Sequence, residues 1–485
     1  MLLAVASGAD PATPPEASHI AATVLKNAVR RGWEAGGRDS EDGGGPRPPP
    51  PSEADKAAVR AALLPALSSS PRPVQAQLVE TLRVVALADW PDAWPDLAPS
   101  LAAVVEEGVA GVAAAGAAPA PPPPGACAGC PARTARLHAA LLASRVLARQ
   151  YEYRDGERRA PLLALAAGLF PGLLALGTRL CAPPAWPAAG ACAGAGADPA
   201  AGELLKLVLK CLWSALYMGV PPPWMGVPGQ GGGSPGGGGT APGSEAAAAA
   251  AAPAPLDPAT PAAAWLGLLH TVLTRPVPEP QPAALGDRPE WPWWKAKKWA
   301  LHIAARLGGR YDAPKNTRAG SADRAFASAW AASAVPAAFL DAHLALLAAP
   351  SHGGYVTPRA TNLALQYIAS AVPQAAGWKR LKPHVPALLA AAALPAACFD
   401  DADAELWADD PGEYVRKSND VMEELYSPKV KGERGRIKNA CLRRACAPPL
   451  CTHPPTHPPT HTHSKRPSTL CTSCAGSAPR PAYPL

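Results

Sequence analysis

Few residues in this chain are spaced for covalent or metal chemistry. Cys127-Ala-Gly-Cys130 has the spacing of half a zinc site or of a dithiol. A metal site needs a second ligand pair, a redox motif needs a helix start, and Pro, Ala and Gly surround this one, so it reads as coincidence. Four His and five Cys lie beyond residue 428, in a segment that includes Thr-His-Pro-Pro-Thr-His-Pro-Pro, and their spacing fits no known zinc finger. No phosphate loop, His-Glu-x-x-His, Ser/His/Asp set or paired carboxylates in a plausible pocket can be found. The expectation is therefore no enzyme, no cofactor and no metal. Two charged stretches remain as candidate binding residues. Asp400, Asp401, Asp403, Glu405, Asp409, Asp410 and Glu413 form an acidic strip able to attract a basic partner. The simpler reading is a solvated helix start, where acids favour the N-terminal dipole. Lys295, Lys298, His302 and Arg306 recur at helical spacing and face either an acidic partner or, more simply, water.

The element that positions the basic stripe runs from Arg288 to Pro314 and reads as one helix. Pro292 sits where the first turn tolerates it; Ala296, Trp299, Ala300, Ile303 and Leu307 make the buried stripe. Gly308 and Gly309 are expected to stop the helix with a left-handed cap. Elsewhere, Ser52 opens a helix with Asp55 three positions on, and Ile20, Val24, Leu25, Ala28 and Val29 form one apolar side of another. Val74, Leu78, Leu82 and Val85 follow, as do Leu204, Leu205, Val208, Leu212 and Leu216. With strand-like alternation almost absent and 62 Pro and 43 Gly interrupting Ala/Leu-rich segments, the fold class is all-α. Alanine favours helix but buries little area, so stability should come from many modest interfaces.

The net charge of +7 suggests nucleic acid, but its distribution does not. From Lys429 onward there are ten Lys/Arg and one acidic residue, so the tail carries +9 and residues 1–428 carry −2. The other six of the 11 cysteines are scattered, and Met-Leu-Leu-Ala-Val-Ala is too short and unflanked for a signal peptide, which suits a reducing compartment. Leu162 to Leu180 is strongly apolar but holds Pro171, Gly172, Gly177 and Arg179, and reads as a buried helix rather than a membrane span.

Residue order adds a resemblance. Asp287-Arg288-Pro289-Glu290, then Pro292-Trp293-Trp294-Lys295, then Lys297-Lys298-Trp299-Ala300-Leu301-His302-Ile303 resembles the importin seven and eight branch of the importin-β superfamily. Asp401 to Pro411 with Trp407 resembles the same branch, while Leu25-Lys26-Asn27 followed by Trp33, Trp90-Pro91 followed by Trp94-Pro95, and Trp378-Lys379-Arg380-Leu381-Lys382-Pro383-His384 resemble importin-β relatives more generally. The prolines and tryptophans among these read as scaffold, ending helices and filling wedges between them. The resemblance covers roughly residues 20–428, matches the N-terminal half of such a receptor, and suggests a chain truncated at both ends, with the tail expected to come from a gene model read through an intron or from a truncated product.

It implies a solenoid of HEAT-type helix pairs about 40 to 47 residues apart. The expected organisation is a disordered leader (1–19), repeats over 20–107, a Pro/Ala/Gly loop (108–132), repeats over 133–225, a low-complexity linker (226–262), repeats over 263–428 and a disordered basic tail (429–485). It also implies a nuclear transport receptor shuttling between cytoplasm and nucleus, with no direct nucleic acid and no membrane insertion. Its partners would be GTP-bound Ran, basic cargo such as ribosomal proteins or histones, and Phe-Gly nucleoporins. A HEAT-repeat scaffold for a multiprotein complex, or a non-functional or competitor fragment, is the alternative.

Overall fold

Proline sets where many helices begin. Pro15, Pro199, Pro261, Pro292 and Pro358 each occupy the first position of a helix, where the missing N–H would have had no partner. A computed structural model of the chain describes residues 2–8, 13–33, 50–117, 130–182, 198–225, 256–398 and 401–419. The chain divides into Met1–Leu442 and Arg443–Leu485, and every described residue lies in the first. Among the described residues there are helices and no strands.

Six helix pairs build the stack: α1 (Leu2–Ala6) with α2 (Pro15–Gly32), α3 (Glu53–Ser69) with α4 (Arg72–Asp89), and α5 (Leu97–Ala117) with α6 (Cys130–Gln150). After α7 (Ala160–Gly168) come α8 (Phe170–Leu180) with α9 (Pro199–Leu216), and α10 (Pro261–Thr274) with α11 (Pro292–Tyr311). Then α12 (Ala322–Ala332) leads to α13 (Val335–Ala348), which pairs with α14 (Pro358–Ala371). The second members form an unbroken row, each packed on the next: α2, α4, α6, α9, α11, α14. In the first row α5, α8, α10 and α13 likewise follow one another. Two rows of helices stacked in register are the helical-repeat solenoid that was expected. The second-row helices start farther apart than 40 to 47 residues because insertions lie between them, yet the row passes every insertion, so the repeat segments form one stack.

Beyond α14 lie α15 (Ala375–Leu381), then α16 (Val385–Leu388) and α17 (Leu394–Ala397) on either side of a π-helical turn, Leu389–Ala393. The last described helices, α18 (Asp401–Asp409) and α19 (Pro411–Asn419), pack on each other.

The structure corrects several expectations. The supposed leader holds α1 and the start of α2, with Ala6 fully buried and the Ser18 hydroxyl donating to the Val5 carbonyl at 3.0 Å. Along α2 the buried stripe is Ser18, Ala21, Ala22, Leu25 and Val29, while Ile20 and Val24 are exposed; small residues let α1 and α4 approach closely. The loop expected over 108–132 is entered by α5 and ends inside α6. Leu162–Leu180 is not one helix: α7 and α8 meet at 51°, and no single described helix is long and apolar enough to cross a membrane. At Ser52 the hydroxyl accepts from the Asp55 N–H at 3.1 Å, but the shorter Asp takes back the serine proton at 2.6 Å instead of reaching the backbone. The Ala run at 246–252, Cys127 and the tail lie outside the described residues.

The central helix differs most. Leu285–Glu290 is a separate 3₁₀ turn, and α11 runs through Gly308 and Gly309 to Tyr311. Neither glycine is left-handed. Gly308 is buried because the Tyr367 ring of α14 lies where a Cβ would be, 2.7 Å from Cε2. Its missing side chain is a packing feature, not a stop.

Candidate functional site

Helical spacing divides the α11 side chains between the interior and an outer strip. Trp293 is fully buried against α9, where Gly202 leaves room: a Cβ there would lie 3.0 Å from the indole. Trp294 is 3% exposed, donates from its indole N–H to Gln281 Oε1 at 2.9 Å and meets Tyr355 edge-on. Lys297, which the sequence reading placed on neither face, is 3% exposed and donates from Nζ to the Arg275 carbonyl at 2.5 Å. Burial lowers its pKa to about 8. Trp293 therefore joins two second-row helices, while Lys297 ties α11 to the end of the first-row helix α10.

The other face carries a strip shared by four second-row helices. From α9 come Lys206, Lys210 and Trp213, with Tyr217 just past its end; α11 supplies Lys295, Lys298, Trp299, His302 and Arg306; α6 adds Arg145 and α14 adds Arg359. Trp299 was expected on the buried stripe but is only half-buried, standing 5.8 Å from Trp213 edge-on. The Arg145 guanidinium lies 5.8 Å and the Lys210 ammonium 5.4 Å from the Trp299 ring. Arg145 also donates to the Lys210 carbonyl at 3.1 Å. Trp213 reaches Tyr217 at 5.4 Å and His302 at 5.5 Å, and Tyr217 reaches Tyr153 at 4.7 Å. Arg306 stacks on Tyr217 at 4.3 Å and donates twice to the Tyr217 carbonyl. Arg359 lies 3.0 Å from His302 Nε2.

A single carboxylate anchors this ladder from beneath. Glu152 is buried and accepts from the Trp213 indole at 3.0 Å and from Ser214 at 2.9 Å. Two other carboxylates near the strip are already used: Glu203 binds Lys206, and Glu290 binds Lys295 at 2.6 Å. Arg145, Lys210, Lys298 and Arg306 make no ion pair among the described residues. Burial, then Arg145 and Lys206, lowers the Lys210 pKa to about 8. Burial, then Lys295 and Arg359, lowers that of Lys298. The basic stripe is thus a half-buried cluster of like charges, not a plain solvated face.

The remaining singled-out residues are dispersed. Lys26 donates to Gln77 across α2 and α4 at 2.8 Å, and Asn27 beside it is half-buried. Trp90 is buried against Tyr151 at 5.7 Å, its bond to Pro91 is cis, Trp94 packs on the core edge and Pro95 is exposed. Trp378 packs against the core from α15, whereas Trp407 is 49% exposed and meets Tyr414.

The acidic strip does not converge on a site. Asp401 and Asp403 stand in the first turn of α18, Asp410 accepts from the Glu413 N–H at 2.9 Å at the start of α19, and Glu413 pairs with Arg416 and Lys417. Glu405 and Asp409 are exposed, and Asp400 lies outside the described residues. The capping reading accounts for the first-turn acids and Asp410. Among the described residues no group of His, Cys, Asp or Glu is arranged to hold a metal. Sequence reasoning missed Arg145, Lys210, Trp213, Tyr217 and Arg359, which spacing on one helix could not assign to the stripe of another.

No family model matches the chain. It is 30% identical over 409 residues to an importin beta-like SAD2 homolog of Arabidopsis thaliana, covering 84% of this chain and 32% of that protein. It is 26% identical over 410 residues to importin-8 of Mus musculus, covering 84% and 33%, and 34% identical over 166 residues to human importin-8, covering 34% and 16%. In fold it is similar to the exportin Cse1 in its cargo-free, cytoplasmic state, with a TM-score of 0.56, 13% identity, and coverage of 92% of this chain and 38% of that one. The chain spans about a third of the length of the Arabidopsis and mouse relatives.

Proposed function

We propose, from an importin-like sequence that extends over most of this chain, that it forms part of a nuclear transport receptor. It carries protein cargo into the nucleus and releases it when GTP-bound Ran binds. The observation that carries this reading is the unbroken second helical row, folded from a sequence similar to importin beta-like proteins along 84% of its length. A row of helices each packed on the next offers a long surface for distributed contacts, and small adjustments at each interface add up along it. Ran and cargo that favour different adjustments oppose each other through a coupling free energy, so one partner releases the other.

On this reading the chain works by binding, catalyses nothing, and shuttles between cytoplasm and nucleus. Phe-Gly nucleoporins carry it through the pore. The acidic residues of α18 and α19 that are not used in capping, Glu405 and Asp409, offer a basic cargo a point of attraction.

The test is binding of the full chain to Ran loaded with GTP or with GDP, with circular dichroism on the same sample. Binding to the GTP form alone, displaced by basic cargo, is the expected result. A helical sample that binds neither form, or both equally, would overturn the Ran-dependent reading for this chain.

A further inference from the structure

The strip on α6, α9, α11 and α14 contains more than a solenoid surface needs. Tyr153, Tyr217, Trp213 and Trp299 form a ladder of rings with successive centroids 4.7, 5.4 and 5.8 Å apart, and none of the four is buried. Half-exposed Trp, Tyr and Arg together are the composition of interface hot spots. Arg145, Lys210, Lys298 and Arg306 rim the ladder without an ion-pair partner among the described residues, while nearby Glu203 and Glu290 are taken by Lys206 and Lys295. Holding cations close together in a half-buried setting costs free energy, and an incoming anion relieves that cost.

We propose that this strip docks an acidic, extended segment of a partner protein, its carboxylates on Arg145, Lys210 and Lys298 and its backbone along the Trp213–Trp299 ladder. The chain's own tail has the wrong sign to cover the strip, since it carries +9 from Lys429 onward. Single-stranded nucleic acid fits less well. Bases stack on open ring faces, whereas Arg145 and Lys210 lie over Trp299, and Trp213 meets its neighbours edge-on. Carboxylates need only N–H donors at the rim, where Arg145, Lys210 and Lys298 are each partly exposed. The inference goes beyond transport and does not require Ran, so its failure and that of the Ran reading are separable.

The experiment is fluorescence anisotropy of the full chain with a labelled oligoglutamate peptide, an oligoglutamine peptide of equal length and an oligouridine. The expected result is salt-sensitive binding of oligoglutamate, weakened at least about tenfold by Lys210→Glu with Lys298→Glu and unchanged by Lys379→Glu on α15. Should reversal of two half-buried charges unfold the chain by circular dichroism, Lys210→Gln with Lys298→Gln gives the same reading with no buried anion. Oligoglutamate binding no tighter than oligoglutamine, a double variant within twofold of the native chain, or tighter binding of oligouridine would each overturn the proposal.

Discussion

Gly308 and Gly309 adjoin each other on α11, and alanine at the two positions should act in opposite directions. At Gly308 an added Cβ would lie 2.7 Å from Tyr367 Cε2 and 3.1 Å from its Cδ2. The ring cannot swing away easily: Tyr367 is 1% exposed, stacks on His343 at 4.1 Å and donates from its hydroxyl to the Pro336 carbonyl at 3.3 Å. Overpacking of this kind costs about 1–3 kcal/mol. Replacing glycine in a helix interior returns about 1 kcal/mol of propensity. Gly308→Ala should therefore destabilise by about 1 kcal/mol. At Gly309, which is exposed with nothing within 4 Å, only the gain remains, and Gly309→Ala should stabilise by about 0.5–1 kcal/mol. The two variants then differ by roughly 2 kcal/mol. Urea denaturation followed by far-UV circular dichroism reads this as a higher midpoint for Gly309→Ala than for Gly308→Ala, with the native chain between them. If Gly309→Ala destabilised as much as Gly308→Ala, the glycines would be a left-handed cap after all. If Gly308→Ala stabilised, the close approach of α14 would be wrong.

Two buried bases add pH-dependent predictions. Lys297, held near 8 against an ordinary 10.5, binds its proton more weakly folded than unfolded, so the native chain gains on Lys297→Met by roughly 3 kcal/mol as pH rises from about 8 to 10.5. A difference between urea midpoints that stays flat from pH 7.5 to 10 would show that Lys297 is hydrated. His343 is fully buried, with Nδ1 2.6 Å from the Phe339 carbonyl, and burial, with Lys297 nearby, lowers its pKa from 6.5 to about 4. Its contribution is present above pH 6.5 and is lost as pH falls toward 4, so the native chain should lose roughly 3 kcal/mol over that window relative to His343→Leu. Parallel acid titrations of the two proteins would contradict this.

Much of the helical organisation was readable because its causes are local. Proline at the first turn of α11, the buried Leu/Val stripe of α4 and the Ser52 cap depend on neighbours within a few residues. The same holds for the Trp90-Pro91 turn after α4. Other features misled because local sequence is silent about what packs opposite. Ile20 and Val24 look like core until α1 and α4 choose the alanine stripe beside them. Gly308 looks like a stop until Tyr367, from a helix about 60 residues on, fills its missing side chain. Lys297 belongs to neither stripe of α11 until the Arg275 carbonyl is found beside it.

The strip shows the same division. Spacing alone placed Lys295, Lys298, His302 and Arg306 on one face of a helix, because 3.6 residues per turn is a property of the chain. That the face is shared with Arg145 and Lys210, joined at 3.1 Å across 65 residues, follows from stacking α6, α9 and α11 side by side. By itself the sequence determined an all-α chain of proline-opened helices with an importin-like order of residues. Only the tertiary structure decided which faces met, because burial and charge proximity depend on pairs of helices whose separation in sequence carries no trace of their separation in space.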